Sequence, residues 1–439
     1  MLSTAEIKKV VEHSNYSFFM LVCIMCYAFF NIAFQHVGNF FLGLIIIGSL
    51  PIFVVHKKDM LKNPIVILFI FVLFSQVLSW INSTIYLPEV ASTLPVLDRL
   101  GKLFVFFFIA YWLKGNVKYV ALLWLFFIFG FLFACIVHAD FQTVLEYITT
   151  GERVDFAIKN SQFDSMLAGT GLLMLLSLLY ITGRYFSLPT KQVKFFSLFT
   201  ISMLIVLFFY IVLITQSRQV WLGLTGAATM GVASYIFIYK VKSIKSMMLI
   251  FFTFLGLFFI LSSSQIVQNR LLEEKQVVHT LIERDKPVVM TSIGIRVNSW
   301  LEASEWIQKH PIVGLDSGAI KEVIQQSERF NDTLKKKYGH LHNFFIETLV
   351  AYGIVGFLLI ILLYYFVIRS ISRTTMLESE KNYFLLLSIC FISYWLIINN
   401  FESFNSRWLG VYTHNIILAS FYTFYLAHSL HLNKEVAKV

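Results

Sequence analysis

Apolar positions in this chain fall into long continuous runs and do not alternate with polar ones. Twelve runs approach or reach the roughly 20 residues a membrane-crossing helix needs. Their cores are 16–35, 37–55, 64–82, 94–113, 119–138, 163–183, 195–215, 219–239, 247–264, 343–367, 383–400 and 409–428. Continuity over this length predicts helices, and it excludes a closed barrel, whose strands alternate inward and outward residues. Very tight connections join runs one and two, and runs seven and eight. The expected fold is all-α: a polytopic membrane protein of about twelve spans.

One segment, 265–341, is polar and ends just before the tenth run. Within it, Arg296–Lys309 carries Val297, Trp300, Leu301 and Ile307 at helical spacing. His310-Pro311 stops that helix, because proline cannot continue it and restricts its predecessor. Gly314 and Asp316-Ser317-Gly318 predict a turn, and Ala319–Phe330 a second helix with Ile320, Val323 and Ile324 on one face. A long ordered loop of this kind is usually functional. The chain divides accordingly into spans one to nine (1–264), a helical external loop (265–341), and spans ten to twelve with a short tail (342–439).

Composition agrees with the pattern. Of 439 residues 58% are hydrophobic and 14% charged, against roughly 25% charged in a soluble domain. The net charge of +10 would suggest nucleic acid in a soluble protein; here its distribution reads as membrane topology, with no nucleic-acid partner. Eighteen of the 35 lysines and arginines fall in one set of alternate connectors, six in the short connectors of the other set, and the remaining 11 in the long loop. The richer side is expected to be cytoplasmic, with both termini there and the 265–341 loop outside. The first run lacks a small-residue cleavage site after it and reads as an uncleaved anchor. Cys23, Cys26, Cys135 and Cys390 all lie in apolar runs, so neither a disulfide framework nor a zinc site is expected. No internal repeat is evident, which weakens a transporter built from inverted halves.

Three residues offer chemistry. Arg218 is the single charge between Phe195 and Tyr239, in the polar hinge Thr215-Gln216-Ser217-Arg218-Gln219. Charge at that depth marks either a functional site or an interfacial arginine reaching lipid phosphates. Arg296 opens the first loop helix, where the helix dipole mildly disfavours a cation; it reads as a solvated residue or as part of an anion site. His342, where the loop meets the tenth span, stands near the positive end of that helix, which favours its neutral form. A neutral imidazole can accept a proton, although from position alone an interfacial histidine capping the helix is the favoured reading. Gly353 and Gly356 suggest close helix packing.

His342-Asn343, nine residues, then Gly353-x-x-Gly356 resembles the signature of the O-antigen ligase family. The twelve-span layout, the external loop before the motif, Gly294-x-Arg296-x-x-x-Trp300, and an outer arginine after the seventh span at Arg218 resemble it too. O-antigen polymerases and protein O-oligosaccharyltransferases share this plan; compactness without an extended C-terminal soluble region favours the lipopolysaccharide ligase. The resemblance implies transfer of O-antigen glycan from undecaprenyl pyrophosphate to a lipid A–core sugar, on the periplasmic face of a Gram-negative inner membrane. It implies inverting, metal-independent glycosyl transfer without a cofactor, with His342 as base and Arg218 and Arg296 binding pyrophosphate. Asn343, Trp300, Gln219 and Lys337 are possible supporting residues.

Physical reasoning is compatible with that chemistry. A pyrophosphate is a good leaving group, so the reaction needs charge neutralisation and deprotonation of the acceptor more than a strong acid. Guanidinium forks suit phosphate, and no carboxylate cluster with metal-ligand spacing stands out. His340 reads as loop scaffolding, since on a helix it would point away from His342. Glu347 falls on another helical face and receives no catalytic role. Lys335-Lys336-Lys337 reads as a solvated run or as a contact for anionic core phosphates. The alternatives are polymerisation of lipid-linked repeats and, from a different class, transport of a lipid-linked oligosaccharide.

Overall fold

A computed structural model of the protein describes residues 3–186, 189–240 and 290–432. The ninth run and positions 265–289 of the polar segment lie outside them, as do Lys242, Lys245, Lys434 and Lys438 of the orientation argument. Among the described residues there are helices and no strands. The long ones are α1 (Ser14–Ala33), α2 (Gln35–Ser49, prolonged by Pro51–Val55), α3 (Pro64–Tyr86), α4 (Val117–His138), α5 (Ser161–Tyr185), α6 (Lys191–Ile214) and α7 (Arg218–Ile238). The polar loop supplies α8 (Ser292–Lys309), α9 (Ala319–Gln325) and α10 (Asp332–Lys337), and the chain closes with α11 (Phe344–Ile371), α12 (Glu378–Asn399) and α13 (Trp408–Ser429). By length and composition, nine helices among the described residues can cross a membrane. Exposed side chains such as Phe71, Phe74, Phe195, Phe196 and Phe237 cover their outer faces, an apolar surface suited to lipid and not to water.

The fourth run departs from expectation. It breaks into a turn of helix at Asp98–Gly101, a 3₁₀ turn at Lys102–Phe104 and a short helix at Phe106–Trp112. Backbone groups freed by a break inside a bundle need partners. Asn415 of α13 supplies them, accepting from the Phe106 N–H at 2.9 Å and donating to the Lys102 carbonyl at 3.0 Å. Gln76 of α3 does the same for Leu100 and Leu97, both at 3.1 Å. The break delivers Arg99 to the site described below. Helix α13 falls short of the apolarity of the other spans yet is buried along nearly its whole length. Its Thr413, Asn415, Ser420 and Thr423 face protein, where polar groups find partners.

The loop packs onto α11 by an unusual stitch. At Gly353 the helix is interrupted, with φ 59° and ψ −165°, a conformation essentially restricted to glycine. The freed backbone bonds to the segment after α8: Ile354 N–H to the Pro311 carbonyl at 2.8 Å, and the N–H groups of Leu315 and Asp316 to the Val350 and Ala351 carbonyls at 3.1 and 2.9 Å. A Cβ on Gly353 would stand 2.3 Å from the Ile312 carbonyl, and one on Gly356 2.3 Å from Cβ of Tyr352. The glycine pair therefore does more than the expected close helix packing: Gly353 opens the helix to accept the loop segment after α8, and Gly356 leaves room beside Tyr352.

Two loop helices differ from their sequence reading. Helix α8 begins at Ser292, capped by Thr291 accepting from the Gly294 N–H at 3.2 Å, so Arg296 sits in its second turn and does not open it. The face it buries is Ile295, Asn298, Ser299 and Ala303, whereas Leu301 is exposed. Helix α9 ends at Gln325, earlier than expected, but Ile320, Val323 and Ile324 are buried as expected.

Candidate functional site

The α6–α7 hinge is held by the loop that precedes α5. Gln216 adopts a positive φ of 46°, and its amide donates to the Gly151 carbonyl at 3.0 Å. Val154 N–H bonds the Ile214 carbonyl at 3.0 Å, and Arg153 Nε donates to the Thr215 carbonyl at 2.9 Å. This clamp sets Arg218 at the first position of α7. Arg218 and Arg296, far apart in sequence, line one cavity of about 240 Å³ with Arg153, Gln219, Trp300 and Phe401. Guanidiniums are groups suited to binding phosphate, and three of them line this one cavity. Arg153 lies outside the motifs that drew attention to the other two.

His342 does not line that cavity but stands beside it. Trp300, on the cavity wall, donates its indole N–H to the Leu341 carbonyl at 2.8 Å. Phe401, also on the wall, directly precedes Glu402, whose Oε2 lies 3.0 Å from Nδ1 of His342. His342 takes a positive φ of 51° and is not helical; Asn343 is the cap of α11, its Oδ1 accepting from the N–H groups of Phe345 and Ile346 at 3.0 and 3.1 Å. Asn343 thus spends its side chain on the helix end. Lys337 is exposed, with its ammonium 5.5 Å from the Tyr338 ring, and it lines neither of the two polar cavities at this site.

His340 corrects the scaffolding reading. Because this stretch is not helical, His340 and His342 do not diverge: their ring centroids are 4.0 Å apart, and His340 Nε2 lies 3.5 Å from Glu402 Oε1. The three side chains hold one potential ligand atom each within 4.8 Å of the others, a grouping able to hold a metal ion. Nothing in the sequence spacing disclosed it, since Glu402 is 60 residues from His342. The available signal was an acid in the short connector before the last span.

Charge settles the state of this cluster. Burial would raise the Glu402 carboxyl, but hydrogen bonds and charge from His340 and His342 outweigh it and hold the group well below the usual carboxylate range. For His342 burial dominates and lowers the pKa; Glu402 opposes this, while His340 and Arg296 add to it. Near neutral pH the pair is a carboxylate facing an uncharged imidazole. With Glu402 ionised, Nδ1 must carry the proton it donates, so the lone pair sits on Nε2.

Glu347 braces the arrangement through four hydrogen-bond partners. Fully buried, it takes Arg99 NH2 at 2.6 Å, the Leu341 N–H at 3.1 Å, and the hydroxyls of Ser403 and Ser406 at 2.5 and 3.0 Å. One carboxylate thereby ties α11, the broken fourth run, the histidine stretch and the Glu402 connector together.

Residues 203–361 match a family model described as O-antigen ligase. That stretch takes in Arg218, Arg296, Trp300, His342 and both motif glycines, and leaves Arg153 and Glu402 outside. No curated protein matches the chain.

Proposed function

Because residues 203–361 match a family model described as O-antigen ligase, we propose that this chain is a membrane glycosyl-transfer enzyme of that kind, which joins O-antigen glycan from undecaprenyl pyrophosphate to a lipid A–core sugar. The observation that carries the proposal is the adjacency of two chemically distinct parts: a cavity lined by Arg153, Arg218 and Arg296, and the His342–Glu402 pair behind its wall.

Arg218 and Arg296 neutralise the diphosphate as it departs, a preorganised electrostatic role. Glu402 holds the Nδ1–H tautomer of His342 and stabilises the imidazolium when it forms. The acceptor O–H bond breaks with its proton passing to Nε2. The acceptor oxygen bonds the anomeric carbon, and the carbon–oxygen bond to phosphate breaks with its electron pair leaving on the diphosphate. One such displacement inverts the centre. Charge neutralisation comes from arginine, so the step requires no metal. The positive-inside bias supports a site on the non-cytoplasmic face of the membrane, which in this reading is the periplasmic face of the inner membrane.

The test is transfer from lipid-linked glycan to purified lipid A–core, parent against His342→Ala. Loss of transfer is expected; undiminished turnover rejects the base assignment. Polymer growing on the lipid carrier, with lipid A–core unused, would instead identify a polymerase.

A further inference from the structure

The transfer proposed above uses one imidazole against Glu402, and the structure puts two there. His340 has no part in that chemistry, yet its ring centroid lies 4.0 Å from that of His342 and its Nε2 lies 3.5 Å from Glu402 Oε1. The stretch that carries both rings is pinned at its middle. Leu341 is buried, with its N–H on Glu347 at 3.1 Å and its carbonyl accepting from the Trp300 indole at 2.8 Å. Glu402 is anchored as well, its Oε1 accepting from the Ser403 N–H at 3.1 Å.

Two imidazole nitrogens and a carboxylate oxygen are the donor set of open zinc sites, where three protein ligands leave a fourth position to water. Zinc holds such ligands at about 2.0–2.2 Å, so in a tetrahedral shell they stand about 3.3 Å apart. The contacts to the two Glu402 oxygens, 3.0 Å from His342 Nδ1 and 3.5 Å from His340 Nε2, lie on either side of that spacing. Three ligand atoms, one from each residue, fall within 4.8 Å of one another. The set is wrong for Mg²⁺ or Ca²⁺, which take oxygen. His340 keeps 24% of its side chain exposed and lines a cavity of about 250 Å³, so an ion and its water can reach the cluster. Arg296, whose charge reaches His342, and Arg407, on the wall of the His340 cavity, oppose a further cation. They favour an ion that comes and goes over one held permanently.

We propose that His340, His342 and Glu402 form a Zn²⁺ site whose occupation switches transfer off; the binding stands on this geometry, and its inhibitory sense rests on the reading above. A neutral imidazole has one lone pair. An ion bound through Nδ1 of His342 takes it, and the Nδ1 proton moves to Nε2. Glu402, now a ligand, no longer accepts from the ring. Nε2 then presents an N–H where the acceptor hydroxyl needs a base. His340 thereby acquires a role that the transfer itself does not give it.

The experiment uses the full chain, purified in detergent without a polyhistidine tag, stripped with a chelator and desalted. Co²⁺ is the probe, because its visible absorption reports tetrahedral ligation. The parent is expected to bind one equivalent, which Zn²⁺ displaces and Mg²⁺ does not. His340→Gln keeps a hydrogen-bond donor toward Glu402 but no imidazole, and Glu402→Gln removes the carboxylate. Each should weaken binding about 100-fold or more, since losing only a group that supports a ligand costs about 10- to 100-fold. Tm values establish that both variants are folded. Transfer is then followed against free Zn²⁺, each protein scaled to its own rate without metal. The concentration that halves the rate should rise in His340→Gln by the factor found for binding. Absence of the Co²⁺ band in the parent overturns the proposal, as does a band that both folded variants retain. Thiolate charge-transfer absorption overturns it by assigning the ion to a cysteine. Equal inhibition of parent and His340→Gln overturns the switch, and so does transfer that rises with Zn²⁺. A parent that binds Co²⁺ through these residues and transfers no glycan when stripped of metal upholds the site and defeats the ligase reading, so the spectrum tells the two failures apart.

Discussion

His342 and Glu402 face each other at 3.0 Å, Nδ1 to Oε2, across 60 residues of chain. The contact fixes one imidazole tautomer and leaves Nε2 as the proton acceptor. Its consequences for rate separate into orientation and charge.

On orientation, Glu402→Gln is expected to lower kcat substantially, by up to about 10⁴-fold, the loss seen when the carboxylate that fixes a general-base histidine's tautomer becomes an amide. His342→Ala should lose about 10²- to 10⁴-fold. Single-turnover transfer assays with saturating donor check both. A Glu402→Gln rate equal to that of the parent would show that the carboxylate does not act through His342.

On charge, transfer needs neutral His342, so the rate rises with pH through the imidazole pKa. Burial lowers that pKa, putting the rising limb below the ordinary imidazole value of 6.5. Glu402→Gln removes two influences that raise it, and the limb should move to lower pH. Arg296→Gln removes one that lowers it, and the limb should move to higher pH while donor KM increases. Opposite displacements in kcat/KM profiles are the expected result; a limb that stays fixed in both variants belongs to another group.

Gly353→Ala should be severely destabilising. The new Cβ would lie 2.3 Å from the Ile312 carbonyl at a φ of 59°. The conformation alone costs a non-glycine residue about 1–3 kcal/mol. A clear fall in Tm in detergent is expected, with release of the 311–316 segment visible as faster amide exchange. An unchanged Tm would mean that the stitch contributes little.

Arg99→Ala leaves Glu347, with 1% of its side chain exposed, buried without its ion-pair partner. Breaking a buried pair from one side costs about 3–5 kcal/mol. Because Ser403, Ser406 and Leu341 also hang on Glu347, activity should fall together with Tm. Arg99→Ala with Glu347→Gln should recover part of the lost stability. A double variant no better than the single one would place the loss elsewhere than in the stranded charge.

Chelation addresses the His340–His342–Glu402 grouping, which is able to hold an ion. A metal there would occupy the lone pair that the proposed reaction reserves for a proton. EDTA is expected to leave transfer intact, and added Zn²⁺ to inhibit it. Activity abolished by EDTA and restored by metal would replace the base mechanism with a metal-dependent one.

Much of this protein is set by local pattern. Apolar runs of spanning length must be helices where water is excluded, so α1 to α7 and α11 to α13 were readable from sequence with small errors at their ends. Arg218, Arg296 and His342 could be singled out because charge and imidazole are conspicuous where apolar runs meet polar segments. The break in the fourth run escaped detection, since its backbone groups are satisfied by Asn415 and Gln76 from distant helices. Glu402 and the true part played by His340 escaped for the same reason: each gains its meaning from a neighbour brought close only by packing. Hydrophobic periodicity depends on residues a few positions apart, and a sequence displays it directly. A carboxylate against an imidazole, or three guanidiniums around one cavity, depends on distances that the fold alone creates.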